Sequence, residues 1–231
     1  MLILNRYMLK DEYKKIIDDK PWQEMKDYFD ELPVADVTQI TQLDINTEEW
    51  IAFTLDNFDL AEQKWEIAKP HYPESAKKFV SINNAVGRNK HNTFELNYGM
   101  NGDSNEKLKT LLGAENIQKL KADPDTILIR FIVKMPGHGV AWHKDDGGSY
   151  GQFFPNVKLN KDTTTEKGRV KRLWFPIQEW KDGHVFQISK TVLSHWKKGE
   201  VFQIPFGIGH ASSNFGYSPQ YTVSFTAVIN D

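Results

Sequence analysis

The spacing of apolar side chains changes near residue 126. Before that point they recur at helical intervals, as in the stripe formed by Trp22, Met25 and Phe29. The predicted helices begin near residues 11, 21, 46, 58, 104 and 115, and two short strands are predicted at 79–82 and 94–98. Asn46 followed by Glu49 resembles a capping box at the start of one of these helices. Aromatic stripes of this kind are typical of core contacts.

From residue 126 the apolar positions alternate with a period of two, which is typical of β-strands. The predicted strands are 127–135, 139–143, 170–178, 184–188, 200–204, 208–212 and 220–229. The glycine-rich and then polar segment 146–169 interrupts them, as either a mobile lid or a plain surface hairpin.

This order of elements favours a mainly β fold with α additions, a sandwich or jelly roll with N-terminal helices packed outside. We expect one domain over 1–231, with 1–125 mostly helical and 126–231 forming the jelly-roll core.

Composition excludes several classes of function. The chain has 39% hydrophobic and 26% charged residues, as expected for a soluble globular protein. A formal net charge of −2 gives no basic footprint for nucleic acid. No apolar run reaches the ~20 residues of a membrane span, and the N-terminal apolar stretch is too short for a signal peptide. Cysteine is absent, which excludes disulfides and thiolate metal sites, and we expect a cytoplasmic protein.

The most informative motif lies at 130–145, where an alternating apolar run breaks at Pro136 and resumes up to His143 and Asp145. On a strand, residues two apart share one face, so this imidazole and this carboxylate are expected to project together. They would supply two members of a two-histidine, one-carboxylate triad, which leaves open positions on Fe(II). A surface strand end is the competing interpretation, because short motifs of this kind also arise by chance.

A third ligand is available at His210. It follows a turn at 205–209 and is expected early in a strand. Closure of a jelly roll pairs strands that are distant in sequence, and this would bring His210 beside the strand that carries His143.

Residues 126–230 resemble the Fe(II)/2-oxoglutarate-dependent oxygenases, within them the aspartyl/asparaginyl β-hydroxylase-like and proline-hydroxylase-like branch. Four loose matches in a consistent order carry the resemblance. They are the R-x-x-x-x-x-P-G run into H-x-D at 130–145, R-x-x-x-P at 172–176, the Gly199-Glu200 turn, and H-x-x-x-N from His210 to Asn214.

The resemblance implies a double-stranded β-helix, cupin-like, that holds Fe(II) through His143, Asp145 and His210. It also implies 2-oxoglutarate and O2 as cosubstrates, and hydroxylation of a C–H bond in an amino-acid, peptide or protein side-chain substrate. In this family the C5 carboxylate of 2-oxoglutarate meets a basic residue. Substrate identity and oligomeric state do not follow from the sequence.

One departure concerns that basic residue. The family usually carries an arginine about ten residues past the distal histidine, but no Lys or Arg follows Lys198 here. Thr222 and Ser224 share a strand face there and offer hydrogen bonds without charge. Arg172 is the first candidate for the missing cation, pointing either to solvent or into a polar barrel interior, and Lys134 and Arg130 come next. Asn214 and Trp174 complete the candidate cofactor-binding residues, although core packing is the commoner role for a tryptophan.

Two other functions compete with an oxygenase. One is a non-catalytic jelly-roll binding module for a sugar, peptide or small acid, and the other is a cupin-like metalloenzyme without a keto-acid cosubstrate. The missing arginine supports the first of these alternatives.

Overall fold

The computed structural model describes residues 37–57, 96–99, 102–145 and 168–230, with Tyr150, Phe154 and Thr164–Thr165, but not the side chains of 96–97, 141–144, 164–165 and 168. The helices predicted to begin near residues 11, 21 and 58, and the strand predicted at 79–82, lie outside the described residues. So does most of the segment 146–169.

Most of the described elements are strands. The strands are β1 (Gln39–Gln42), β2 (Leu96–Gly99), β3 (Leu128–Lys134), β4 (Gly139–Lys144), β5 (Thr164–Thr165), β6 (Gly168–Pro176), β7 (His184–Ile188), β8 (Thr191–Leu193), β9 (Glu200–Gln203), β10 (Gly209–Asn214) and β11 (Gln220–Ile229). The helices are α1 (Thr47–Asn57), α2 (Gly102–Leu112) and α3 (Ala114–Lys119), with a 3-10 helix at Pro124–Thr126. Among the described residues no helix is long and apolar enough to cross a membrane.

Two antiparallel sheets form the body of the protein. The large sheet runs β1-β9-β6-β11-β3-β2, with β5 added beside β6, and the small sheet runs β4-β10-β7-β8. Most neighbours in the two sheets, such as β6 and β11 or β4 and β10, are not consecutive in the chain, so the chain crosses between the sheets as a jelly roll does. The fold is a double-stranded β-helix, as the resemblance implied, and it is of the jelly-roll type that the strand pattern predicted.

Helices cover the outer face of the large sheet. Trp50 of α1 packs edge-on against Phe131 of β3 with ring centroids 4.8 Å apart. Leu108 and Leu112 of α2 join the same core cluster. Asn105 fixes α2 to β3, because its amide donates to Ile127 O and accepts from Ile129 N, both at 2.8 Å. The large sheet therefore presents its apolar side chains to the helices and its other face to the small sheet.

The two sheets meet around Trp174. Its ring stacks on Phe186 of β7 with centroids 4.6 Å apart and 11° between the planes. Trp196 and Phe202 pack against the same ring. This small inner core fills one part of the barrel interior.

Most of the local predictions for described residues are confirmed. The strand predicted at 184–188 is β7, and that at 220–229 is β11, with the predicted bounds. The capping box is present in modified form, because Asn46 Oδ1 accepts from Glu48 N at 3.2 Å and its Nδ2 donates to Glu49 Oε1 at 2.7 Å. The short strands β1, β5 and β8 were not predicted.

Part of the segment 146–169 is fixed to the barrel. Tyr150 is 2% exposed and packs with Leu128, Val170 and Val228. Its hydroxyl donates to Thr126 O at 2.8 Å. Thr164–Thr165 pairs with Gly168 and Arg169 as a short hairpin. These contacts support a hairpin at one end of the segment and an anchored aromatic near the other.

Candidate metal centre

The pairing of β4 with β10 brings the two distant motifs together. His143 lies directly opposite His210 in the antiparallel register, and Lys144 lies opposite Gly209. The register shifts between His210 and Ser212, so the strands are locally irregular just beyond the histidine pair. The side chain of His143 lies outside the described residues.

Asp145 and His210 meet at the end of this pair. Asp145 Oδ2 lies 3.5 Å from His210 Nε2. His210 is 2% exposed, whereas the side chain of Asp145 is 36% exposed. The carboxylate therefore stands at the opening of the barrel, with the imidazole behind it.

A turn before β10 sets this geometry. Gly207 has a φ of 73°, a left-handed conformation that glycine adopts without steric cost. Its N–H donates to Asp145 O at 2.9 Å, which fastens the turn before His210 to the end of the H-x-D strand. His210 Nδ1 lies 3.0 Å from Ile208 O. Since that carbonyl can only accept, Nδ1 carries the proton and the neutral ring presents Nε2 as an acceptor.

Arg172 completes the cluster from the facing sheet. Its Nη2 lies 2.7 Å from Asp145 Oδ2 and 2.9 Å from His210 Nε2. Arg172 is 6% exposed, so of the two orientations left open by the sequence it takes the barrel interior. One guanidinium nitrogen thus contacts both described members of the candidate ligand set.

These contacts set the charge state of the cluster. Burial alone would raise the pKa of the Asp145 carboxyl, but the positive charge of Arg172, whose Nη2 donates to Oδ2, outweighs burial and holds the pKa well below its usual value. Burial lowers the pKa of His210, and the Arg172 charge lowers it further against the opposing effect of Asp145. An ionised carboxylate and a neutral imidazole result, which are the protonation states that metal ligation requires.

The two donor atoms fit a divalent ion. Imidazole nitrogen and carboxylate oxygen bind such ions at about 2.0–2.2 Å, so atoms 3.5 Å apart can share one ion. The Nδ1 hydrogen bond to Ile208 O also resembles the outer contact that orients a metal-bound histidine. No cluster of three His, Cys, Asp or Glu side chains occurs among the described residues, which exclude the His143 side chain. An ion bound here would displace Arg172 Nη2, because both would occupy the same lone pairs.

The other predicted residues occupy the barrel interior in different roles. Trp174 belongs to the inner aromatic core. Asn214 is fully buried, and its amide donates to Lys134 O and Ser218 O, both at 2.8 Å, and accepts from Gly216 N at 3.0 Å. These bonds tie β10 to β3 and to the following turn. Ser224 lies opposite both Arg130 and Trp174 in the sheet.

The polar side chains of β11 point into the barrel interior and not towards solvent. The odd-numbered residues from Tyr221 to Ile229 join the outer core, while Gln220, Thr222 and Thr226 are at most 8% exposed on the opposite face. Lys134 lies directly opposite Gln220 and is 2% exposed. A strand in which polar and apolar residues alternate normally turns its polar face to solvent. In β11 the small sheet covers that polar face.

Sequence reasoning missed two buried polar residues of this interior. Gln220 is 1% exposed, and His184 is fully buried opposite Asn214. The position of Gln220, ten residues beyond His210 where an arginine was expected, was the available signal. Nothing in the local sequence distinguishes His184, because its burial follows from the pairing of β7 with β10.

Comparisons with known proteins concern the fold. No protein-family model matches the sequence, and no curated protein matches it. Similar solved structures include a predicted oxalate decarboxylase from Thermotoga maritima, 15% identical, covering 51% of this chain and 76% of that chain, with a TM-score of 0.30. A cupin domain from Bordetella pertussis is 13% identical, covering 46% of this chain and 84% of that chain, with a TM-score of 0.29.

A Klebsiella pneumoniae protein with a double-stranded β-helix domain is 17% identical, covering 47% of this chain and 72% of that chain, with a TM-score of 0.29. At these identities and TM-scores the matches carry no argument about activity. The assignment of the fold rests on the strand order and register of the protein itself.

Proposed function

We propose that this protein is an Fe(II)- and 2-oxoglutarate-dependent dioxygenase that hydroxylates a C–H bond of an amino-acid, peptide or protein side chain. The observation that carries the proposal is the approach of Asp145 Oδ2 to His210 Nε2, 3.5 Å apart, at the end of a strand pair in which His143 lies opposite His210. Two motifs that lie far apart in sequence thus meet at one end of the barrel, which supports the proposal.

In this proposal His143, Asp145 and His210 hold the iron. The hydrogen bond from His210 Nδ1 to Ile208 O keeps Nε2 available as the donor atom. Bound Fe(II) supplies the redox chemistry by which O2 converts 2-oxoglutarate to succinate and CO2, with the second oxygen atom entering the substrate as a hydroxyl group. Three ligands leave open coordination positions for the cosubstrate and O2.

The surroundings of the cluster suit an oxidation that must be shielded from water. Phe186 lies edge-on to His210 with ring centroids 6.1 Å apart, and Ile188 lies opposite His210 in the strand register. Both are buried in one apolar cluster with Trp174. Asp145 remains 36% exposed, so the substrate side of the site opens to solvent. A substrate side chain can therefore approach from the opening while the cosubstrate occupies the interior.

The deciding experiment is an anaerobic titration with Fe(II) and 2-oxoglutarate, followed by absorption spectroscopy. We expect a visible charge-transfer band that requires both components and is lost in His210→Ala. His195→Asn, which alters an exposed histidine, is the matched control and should keep the band. Absence of the band in the unaltered protein, at concentrations where metal binds, would overturn the proposal.

The second candidate function is a cupin-like metalloenzyme that uses no keto acid. The missing arginine on β11, where position 220 is glutamine, counts against a keto-acid cosubstrate and so favours this candidate as well as the binding module. The metalloenzyme candidate predicts stoichiometric metal binding with no spectral response to 2-oxoglutarate. A non-catalytic binding module, the third candidate, predicts no stoichiometric metal binding, because the Arg172 contacts with Asp145 and His210 would be permanent.

A further inference from the structure

One edge of the large sheet is exposed and uncharged. The large sheet ends at β1 and β2, and the small sheet ends at β4 and β8. Gln39, Ile40 and Gln42 of β1 are exposed, and the apolar side chain of Ile40 is 41% exposed. No described strand pairs with β1 on the side away from β9. An edge of this kind presents backbone N–H and C=O groups with which another strand can pair.

The other three edges carry features that discourage further strand pairing. β4 ends in Lys144, and Lys190 immediately precedes β8. β2 ends at Gly99, whose φ of 113° lies outside the extended region. Lysine at an edge and glycine in a strand both weaken the addition of a further strand. β1 has neither, because residues 37–42 read V-T-Q-I-T-Q, without charge, glycine or proline.

The composition of β1 favours strand pairing. Four of the six residues at 37–42 are β-branched, and such side chains fit a pleated surface well. The register with β9 shifts between Gln39 and Thr41, so no residue of β9 lies directly opposite Ile40. This shift twists the strand locally but leaves its outer side exposed. β1 is therefore a short, uncharged segment with a high preference for the extended conformation, exposed at a sheet edge.

The segment is complementary to itself in an antiparallel arrangement. When two copies related by a two-fold axis meet at Ile40, this residue faces Ile40 of the second copy, and Gln39 faces Thr41 of the second copy. The central pair joins two apolar side chains, and the flanking pairs join an amide to a hydroxyl. No like charges oppose one another along residues 37–42. A second copy of this chain thus fits the edge without a charge penalty.

We propose that β1 pairs with β1 of a second copy of this chain, antiparallel about Ile40, so that the two large sheets form one continuous sheet. A contact in which both copies use the same surface closes on itself and gives a dimer instead of a fibre. A ladder this short buries less than the roughly 1,200 Å² of a stable interface, so the dimer dissociates at micromolar concentrations. The dimer requires neither metal nor cosubstrate, and its existence is independent of the proposed function.

Analytical ultracentrifugation of the full chain over a concentration series tests the dimer. We expect a reversible monomer–dimer equilibrium in the unaltered protein. Ile40→Lys places two like charges opposite one another and should raise the dissociation constant about tenfold or more. Val192→Lys is the matched control, because Val192 is 55% exposed on β8 at the edge of the small sheet. It should leave the dissociation constant within about threefold, and circular dichroism shows whether both variants fold.

Cysteine cross-linking tests the register and needs no charged substitution. The chain contains no cysteine, so Ile40→Cys introduces a single thiol. Residues directly opposite one another have Cβ atoms about 4.5–5.5 Å apart, from which a small adjustment allows a disulfide. In Thr38→Cys the two thiols are four positions out of register, or about 13 Å apart. We expect mild oxidation to link Ile40→Cys into a covalent dimer and to leave Thr38→Cys and Val192→Cys unlinked.

Three results would overturn the pairing of β1 with itself. The first is a monomer at every concentration, with no cross-link in Ile40→Cys. The second is a dimer whose dissociation constant changes by less than about threefold in folded Ile40→Lys, because the contact then lies on another surface. The third is cross-linking of Thr38→Cys or Val192→Cys as fast as that of Ile40→Cys, which indicates random collision of thiols. If Ile40→Lys does not fold, the cross-linking result decides.

Discussion

Arg172 donates to Asp145 across the two sheets of the barrel, with Nη2 2.7 Å from Oδ2. The same nitrogen lies 2.9 Å from His210 Nε2, so it occupies the space that a metal ion on these two residues would take. Metal binding and this ion pair therefore exclude one another. This competition makes Arg172 a determinant of metal affinity.

Arg172→Met should tighten the binding of Mn(II) or Fe(II) about tenfold. The ion pair between Arg172 and Asp145 is partly exposed on the Asp145 side, so its strength lies between those of exposed and buried pairs. Its removal as a competitor should therefore favour metal binding by about 1–2 kcal/mol. Anaerobic calorimetry measures the change, with Arg169→Met, an exposed arginine of the same strand, as control. Equal or weaker metal binding in Arg172→Met would show that the guanidinium does not compete with the ion.

His143→Ala, Asp145→Ala and His210→Ala should each abolish stoichiometric binding of one divalent metal ion. Each loses a donor expected at about 2.0–2.2 Å from the ion. Circular dichroism and cooperative unfolding should show that the fold persists. His195→Asn serves as control, because this residue is exposed with a φ of 58° that asparagine tolerates. Undiminished binding in any of the three variants would remove that residue from the ligand set.

Gly199→Ala should destabilise the protein by about 3 kcal/mol or more, because two effects combine there. Its φ is 76°, and an added Cβ would lie 2.3 Å from Leu43 O. Gly207 has a similar φ of 73°, but a Cβ there meets nothing within 4 Å. Gly207→Ala should therefore lower the free energy of unfolding by only about 1 kcal/mol, because it carries the penalty for a left-handed φ without the steric clash.

Urea denaturation of both variants measures the difference in unfolding free energy. Since the backbone penalty is common to both, the difference isolates the close approach of the turn to Leu43. Equal losses in the two variants would mean that the β9 turn moves away from Leu43 at little energetic cost.

Acidification should destabilise the protein through His184. Burial lowers the pKa of this histidine, and the charges of Lys181 and Lys134 lower it further, against the hydrogen bond to Ser218 O. The folded pKa thus lies below the unfolded value of 6.5. The unfolded chain binds the proton first, so the free energy of unfolding decreases as pH falls from 6.5 towards the folded pKa.

His184→Gln should reduce the slope of unfolding free energy against pH between about pH 7.5 and 5.5. Part of the slope should remain, because the pKa of His210 is lowered as well. His195→Asn, altered at an exposed site, should leave the slope unchanged. The assignment to His184 is contradicted if His184→Gln and the unaltered protein give equal slopes.

The longer strands of the barrel were predictable from their own residues. In β7, alternation of His184, Phe186 and Ile188 with less buried neighbours marks the strand and its inward face. In β8, the three residues Thr191–Leu193 are too few to show a period, so the strand was missed. β1 was missed as well, because its four residues are mostly exposed and pair with the distant β9.

The sequence alone was sufficient for the main strands and for the capping box at Asn46, because these depend on neighbours a few residues apart. It also gave the candidate third ligand, His210, through the resemblance. The projection of His143 and Asp145 from one face of their strand stays a prediction. The meeting of Asp145 with His210 and Arg172 required the tertiary structure, since it depends on the pairing of β4 with β10 and on the facing of two sheets. The same holds for the polar face of β11. Alternation shows that Gln220 and Thr222 share a side of the strand, but only the packed small sheet makes that side an interior instead of a surface.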